Sequence, residues 1–276
     1  RRMIQTQYLI GGQSIMSDDF RLMIGTTFLP AISPRVDSVT VSGRSGVLMP
    51  DMPTVSEAPE ITVKAFAKGT SAVPLMRRFY RLCRQASTLT RIEHDTVTGL
   101  SRRMTARAVC TSCEPDGDEN PWGGTSMATA VFQLPDVFWQ SEQWVDKTLP
   151  AVGGTLVSGA NPSAGLAWDS DAPLLNLVMR FTDVSSVRVS CAASGTDLEW
   201  SAAASVRNLY IDVPNRRAWT SDRTDAWDGG TDATAGVDWT SEPLQAWPSI
   251  DSGDYLLAVE QSGTGQVACR YKQSWE

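Results

Sequence analysis

VFQLPDVFWQSEQW, residues 131–144, divides the chain. A strand pattern running through Met127, Thr129, Val131 and Gln133 meets Pro135-Asp136 and then the aromatic pair Phe138-Trp139. Proline has no N–H for a sheet ladder and biases the residue before it toward extended backbone, so the strand is predicted to stop near Leu134. Composition changes at the same place. Upstream lie most of the methionines and a concentration of arginine; downstream, tryptophan, glycine, serine and aspartate dominate. The stretch reads as the exit from one domain, residues 1–145, and the entry to a second, residues 146–276.

Outward from that point, composition sets limits. The 276 residues, 42% apolar and 20% charged, suffice for two domains that each bury a core. No apolar run approaches the ~20 residues needed to cross a bilayer. Residues 1–16 carry an apolar patch too short and too polar for a secretion signal, so an edge strand is the expectation there. Five cysteines, an odd number spread over both regions, argue for reduced thiols rather than a disulfide framework. Cys110 and Cys113 have the spacing of half a zinc site, but His94 is the only histidine. The plainer expectation is one cysteine in a strand and one in the loop after it. The acidic stretch 114–122 lacks the spacing of a calcium loop and reads as a solvated turn. No metal or cofactor is expected.

Net charge is −7, unevenly placed. Residues 1–145 hold 15 basic and 14 acidic side chains, whereas residues 146–276 hold 9 and 17. Ten of the basic residues fall between Lys64 and Arg107, against only Glu93 and Asp95. A basic band invites a nucleic-acid reading, but no RNP-like motif, recognition-helix signature or aromatic interleaving accompanies it. Pairing with an acidic face of a neighbouring subunit is the stronger expectation.

Period-two alternation predicts strands at 3–10, 21–28, 36–41 and 60–67, with a proline loop at 48–59. The one convincing helix spans 72–86. Ser71 is placed as its N-cap and Pro74 falls in the first turn. Leu75, Phe79, Leu82 and Ala86 form the apolar stripe, broadened by Met76, Tyr80 and Cys83. Arg77, Arg78, Arg81 and Arg84 occupy the rest of its surface, either as a solvated face or as an interface whose guanidinium forks engage carboxylates in two bonds. Residues 88–94 and 101–111 are predicted to pair as a hairpin, and Arg102 and Arg103 lie on its second arm. Beyond 146, short runs at 174–181, 187–191, 209–213, 255–259 and 267–271 alternate with turn residues, which spells a β-sandwich. Trp219, Trp227, Trp239 and Trp247 are candidates for glycan or partner contacts, since aromatic faces stack on sugar rings. Core and loop packing is the alternative.

Gly124-Thr125-Ser126-Met127-Ala128 reproduces the GTSMA signature around the nucleophile of subtilisin-like proteases. A serine attacks only when a histidine takes its proton and a carboxylate orients that histidine. Here the sequence after Ser126 continues as a strand, and His94 sits in Ile92-Glu93-His94-Asp95 without the protease context. No catalytic residue is assigned, and the chain is read as a non-enzyme.

Four segments together resemble the siphophage distal tail proteins. They are Ser42-Gly43-Arg44-Ser45-Gly46, similar to that family's Gly-Arg-x-Gly turn; Pro135-Asp136-Val137-Phe138-Trp139, similar to the end of its N-terminal domain; residues 208–218, NLYIDVPNRRA; and residues 250–275, resembling its closing hairpin. The resemblance implies a mainly β protein. Its N-terminal domain would be a β-sandwich or barrel-like module with one α-helix, and its C-terminal domain a galectin-like β-sandwich. It further implies a structural adaptor at the distal end of a phage tail, assembled in the host cytoplasm. Six N-terminal domains would form a ring between the tail tube and tape measure protein above and the tail hub below, with a lumen for DNA. The C-terminal domains would offer docking for tail fibres or receptor-binding proteins. In that family the helix lies between subunits, which makes Arg77, Arg78, Arg81, Arg84, Arg102 and Arg103 subunit-interface candidates. A lectin-like surface module recognising host cell-wall glycans is the alternative reading.

Overall fold

The structure, a computed structural model, describes residues 4–35, 42, 55–116, 124–149, 154–157, 170–239, 244–251 and 254–276. The strand expected at 36–41, most of the turn at 42–46, and most of the loops at 48–59 and 114–122 lie outside the described residues. The chain is mainly β and divides into two compact units, residues 1–139 and 140–275.

The first unit contains β1 (Ile4–Ile10), β2 (Gln13–Ser14), β3 (Phe20–Leu22), β4 (Pro34–Arg35), β5 (Val55–Ser56), β6 (Glu60–Lys68), α1 (Ala72–Gln85), β7 (Thr88–Asp95), β8 (Ser101–Arg107), β9 (Val109–Pro115) and β10 (Thr125–Gln133). One antiparallel sheet has the order β3-β6-β10-β9, another runs β2-β1-β7-β8, and β4 pairs with β5. Alternation along β6 buries Ile61, Val63, Ala65 and Ala67, and the paired β10 buries Ala128, Ala130 and Phe132 on the same face. The alanines leave room for a helix there. α1 packs across β6, β10 and β9, burying Ala72, Met76, Phe79 and Cys83, with Phe79 5.7 Å from Phe20.

Four expectations are corrected. The helix stripe is centred on Met76, Phe79 and Cys83, with Leu75 and Leu82 only half-buried at its margins. Ser71 stands at the N-cap but caps nothing with its hydroxyl. The arm expected at 101–111 breaks at Ala108, whose N–H donates to Ser87 O at 2.9 Å. β8 stays with β7 while β9 crosses to β10, so Cys110 and Cys113 both lie in one strand instead of a strand and a loop. The strand expected at 21–28 is shorter, Phe20–Leu22. Beyond it Thr26 Oγ1 and the Thr27 N–H reach the backbone of Lys64 and Thr62 without a regular ladder.

β10 does end at Gln133. The turn that follows is closed by Val137 N–H to Leu134 O at 3.0 Å, and Val137 takes a φ of 67°. That left-handed conformation strains a β-branched residue.

The second unit contains β11 (Trp139–Leu149), which starts on the last residue of the first, β12 (Gly154–Val157), β13 (Leu177–Cys191), β14 (Thr196–Asp212), β15 (Arg217–Thr220), β16 (Thr231–Asp232), β17 (Tyr255–Gln261) and β18 (Val267–Trp275). The two runs expected at 174–181 and 187–191 belong to a single strand, β13, paired along its length with β14. Its register shifts between Val184 and Ser186. Before the shift β13 also pairs with β18; after it, with β17. An irregularity of this kind bends a strand, so one hairpin serves two layers. Their inner faces share a core that includes Met179, Phe181, Val189, Trp200, Ile211, Tyr255, Val259 and Tyr271.

Candidate functional site

The α1 arginines follow from the helix period. Once Met76, Phe79 and Cys83 take the buried side, Arg77, Arg81 and Arg84 align at i, i+4 and i+7 on the exposed side, with Arg78 beside them. Arg78 donates to Gln13 Oε1 at 3.4 Å. Among the described residues, Arg77 and Arg81 have no hydrogen-bond or ion-pair partner. Four guanidiniums on one short helix, with little of their bonding capacity used among the described residues, make a surface suited to carboxylates from elsewhere.

Arg102 and Arg103 are separated by strand alternation. Arg102 stands directly opposite Glu93 in the β7–β8 register and donates to Glu93 Oε2 at 2.7 Å. Glu93 also binds Arg91, and all three side chains are nearly buried. Arg103, opposite Ile92, is exposed. Of the two, only Arg103 has an exposed side chain. The same burial affects Tyr8, whose phenol is pushed up to about 12 by loss of solvent, partly opposed by the charge of Arg91. Its hydroxyl donates to Thr27 O at 2.7 Å.

Ser126 is buried near the start of β10, opposite Ala67, while His94 lies on β7 in the other sheet with Nδ1 2.9 Å from Ser101 Oγ. The fold does not bring the two together as a nucleophile and its base.

In the second unit Trp219, Trp227, Trp239 and Trp247 are held by local partners. Tyr210 and Trp219 stack with centroids 5.5 Å apart and planes 1° from parallel, while Trp227 meets Tyr210 edge-on at 5.4 Å. The Tyr210 hydroxyl donates to Arg223 O at 2.8 Å, and Trp219 Nε1 donates to Ala226 O at 2.7 Å. These bonds fasten the segment after β15 over the outer face of the sheet. Arg217 lies over Trp219 at 5.8 Å, and Arg270 and Arg180 lie over Trp227 at 4.7 and 5.9 Å. Trp239 and Trp247 are half-buried, their Nε1 atoms bonded to Thr234 O and Gln245 Oε1. Trp144 on β11 is 46% exposed, with Lys272 5.3 Å from its ring. Sequence reasoning did not single it out; its place beside Glu142 and Asp146 in strand alternation was the available signal.

A cavity of about 520 Å³ in the second unit is lined by Ser186, Arg188, Glu199, Asp238, Glu260 and Ser262 among others. Arg188 is bound there to Asp197 at 3.0 Å and Glu199 at 3.2 Å, so the remaining carboxylates give the rim an acidic character. Among the described residues, no group of three or more His, Cys, Asp and Glu is arranged to hold a metal ion, and no helix is long and apolar enough to cross a membrane.

No protein-family model and no curated protein matches the chain. Solved structures do. The crystal structure of the Dit protein of phage SPP1, described as a paradigm of the hub adsorption apparatus in phages infecting Gram-positive bacteria, aligns with 99% of this chain and 100% of its own length. The TM-score is 0.55 and the identity 14%. Two structures of the phage P2 baseplate in its activated conformation, with calcium and with strontium, each align over 98% of both chains at 11% identity. Their TM-scores are 0.39 and 0.37, too low to support any argument about this chain. The chain shares the fold of the SPP1 Dit protein from end to end.

Proposed function

We propose that this protein is a structural, non-enzymatic adaptor at the distal end of a phage tail. The observation that carries the reading is the length of the shared fold: both units, in order, correspond to the SPP1 Dit protein. In this reading six copies form a ring through residues 1–145. The ring continues the tail tube, meets the tape measure protein above and the hub below, and leaves a lumen for DNA. The C-terminal unit faces outward and docks tail fibres or receptor-binding proteins. The chain is thus a virion component put together in the host cytoplasm.

The arginine ridge on α1 supports a subunit contact. A channel that passes DNA should not bind it, because each neutralised phosphate adds affinity through counterion release. Arg77, Arg78, Arg81 and Arg84 therefore belong between copies, against carboxylates, and away from the bore. The occupied ring faces of Trp219 and Trp227 favour packing over a glycan platform. Negative-stain imaging and light scattering of the purified full chain test the proposal. A hollow ring is expected, and a protein that stays monomeric at all concentrations overturns it.

A further inference from the structure

Three of the five cysteines converge in the first unit, one from the helix and two from the edge strand. α1 packs over β9 and β10 and buries the Cys83 side chain fully. Cys110 and Cys113 are three residues apart, which in a regular strand would send them to opposite faces. The register shows why they share one: Cys113 is opposite Ala130 and Cys110 opposite Phe132, with a shift between Val131 and Phe132. Thr111 is the extra residue of this bulge. Both thiols consequently stand on the face of Ala130 and Phe132, the face that α1 covers. Cys83 and Cys113 are within hydrogen-bonding reach of each other. A cavity of about 420 Å³ opens over Cys110 and Cys113 and is walled by Tyr80, Arg84, Thr111 and Pro115.

The two partners differ in reactivity. The Cys83 thiol donates to Cys113 and, with the Arg84 charge nearby, holds Cys113 below the ordinary thiol range. Donating that bond and being buried push Cys83 up. Burial also pushes up Cys110, whose thiol donates to Ser112 O at 3.2 Å. Cys113 is accordingly the nucleophile of the cluster, and of the Cys83–Cys113 pair it is the one that lines the cavity.

We propose that Cys113 is a redox-active thiol and Cys83 its resolving partner, so that a small-molecule disulfide such as oxidised glutathione closes a Cys83–Cys113 bridge between α1 and β9. The Cys113 thiol gives its proton to solvent and the thiolate attacks one glutathione sulfur; the glutathione S–S bond breaks and the first glutathione leaves as a thiolate that takes a proton back from solvent. The Cys83 thiol then gives up its proton as its sulfur attacks the Cys113 sulfur of the mixed disulfide, and the second glutathione leaves with that proton as a thiol. Two protein thiols are oxidised and one glutathione disulfide is reduced to two thiols. Arg84 stands at the cavity wall, where it can pair with a glutathione carboxylate during the first step. The bridge staples the helix bearing Arg77–Arg84 to the sheet. On the reading given above, such a protein is made in a reducing cytoplasm and acts in an oxidising medium, so the staple would close after release. The bridge itself does not depend on that reading.

The test uses the full chain, folded, incubated with oxidised glutathione, then alkylated and digested without reduction for mass spectrometry. A peptide pair joining Cys83 to Cys113, short of two hydrogens, is expected, with Cys110 alkylated. In the reduced protein Cys113 should react with a thiol reagent at least ~5-fold faster than Cys110. Cys83→Ser should halt the reaction at glutathionylated Cys113, Cys113→Ser should leave Cys83 unmodified, and Cys110→Ser should leave the bridge intact. Oxidation should raise Tm by roughly 5 °C, reversed by dithiothreitol. A Cys110–Cys113 bridge, or a lasting glutathione adduct on wild-type Cys113 with Cys83 still free, overturns the proposal. A monomeric chain that forms the bridge would overturn the ring and leave this inference standing; a ring without the bridge would do the reverse.

Discussion

Five arginines of the second unit are engaged within that unit, whereas the ridge on α1 in the first has almost no partners among the described residues. Arg270 binds Asp146 at 2.7 Å while lying over Trp227, and Arg188 binds Asp197 and Glu199. Arg223 binds Asp225 at 2.8 Å, Arg217 covers Trp219, and Arg180 bonds Thr224 O beside Trp227. On α1, Arg78 reaches only Gln13, and Arg77 and Arg81 reach nothing among the described residues. A guanidinium already engaged organises its own domain; one with its five donors unengaged is available to a partner. The contrast separates arginines that build the fold from arginines that can build an assembly. Arg102, buried against Glu93, falls with the first kind although it lies in the first unit.

Four substitutions and one titration press on that contrast. Glu93→Gln should cost the most, about 3 kcal/mol of stability by urea denaturation, because it leaves Arg91 and Arg102 buried without their shared carboxylate. An unchanged midpoint would place Arg102 among the available arginines after all. Arg81→Glu should weaken ring formation by about 2 kcal/mol, roughly 30-fold in the concentration at which light scattering detects the oligomer, with Tm unchanged. Loss of Tm together with oligomer would make Arg81 a folding residue. Trp227→Ala should cost about 2 kcal/mol in the second unit through lost packing and lost guanidinium contact, leaving oligomer size as it was.

Val137→Gly should act in the opposite direction, stabilising by about 1 kcal/mol, since glycine adopts a φ of 67° without a Cβ clash. Calorimetry reads the sign. The smallest effect concerns Asp146. The hydrogen bond from Arg270 holds its carboxyl below the ordinary value of 3.8, so the folded chain binds that proton less readily than the unfolded one. The contribution is present above the unfolded value and is lost as pH falls through the lower folded value. Asp146→Asn should therefore match wild type least at neutral pH and converge on it in acid, with the change confined below about pH 4. A difference that grows on acidification would refute the pairing.

Local periodicity carried much of the fold. The spacing of apolar residues located α1 within one residue at its C-terminus, and the alternation of β6 predicted which of its side chains the sheet buries, whereas β10 buries Ala128, Ala130 and Phe132 and turns Met127, Thr129, Val131 and Gln133 to its other face. The site was less legible. Arg77–Arg84 could be placed on an exposed helix face, because helical spacing is a property of the segment alone. The opposed fates of Arg102 and Arg103 could not, since they depend on which residue the neighbouring strand sets across from each. The tryptophans failed for a related reason: exposure of Trp144 and coverage of Trp219 are set by the face each strand turns outward and by the segment that folds over it.

The sequence by itself determined a two-part, mainly β chain with one amphipathic helix, a basic band between Lys64 and Arg107, an acidic second half and a strand stop just before Pro135. These follow from composition, hydrophobic period and the missing N–H of proline, all of which act over a few residues. Tertiary structure alone decided the bend that lets β13 pair with β18 before it and β17 after it, the burial of Arg102 with Glu93, and the bulge that turns Cys110 and Cys113 toward Cys83. Each of these rests on cross-strand register, a relation between residues far apart in the chain that no local pattern encodes.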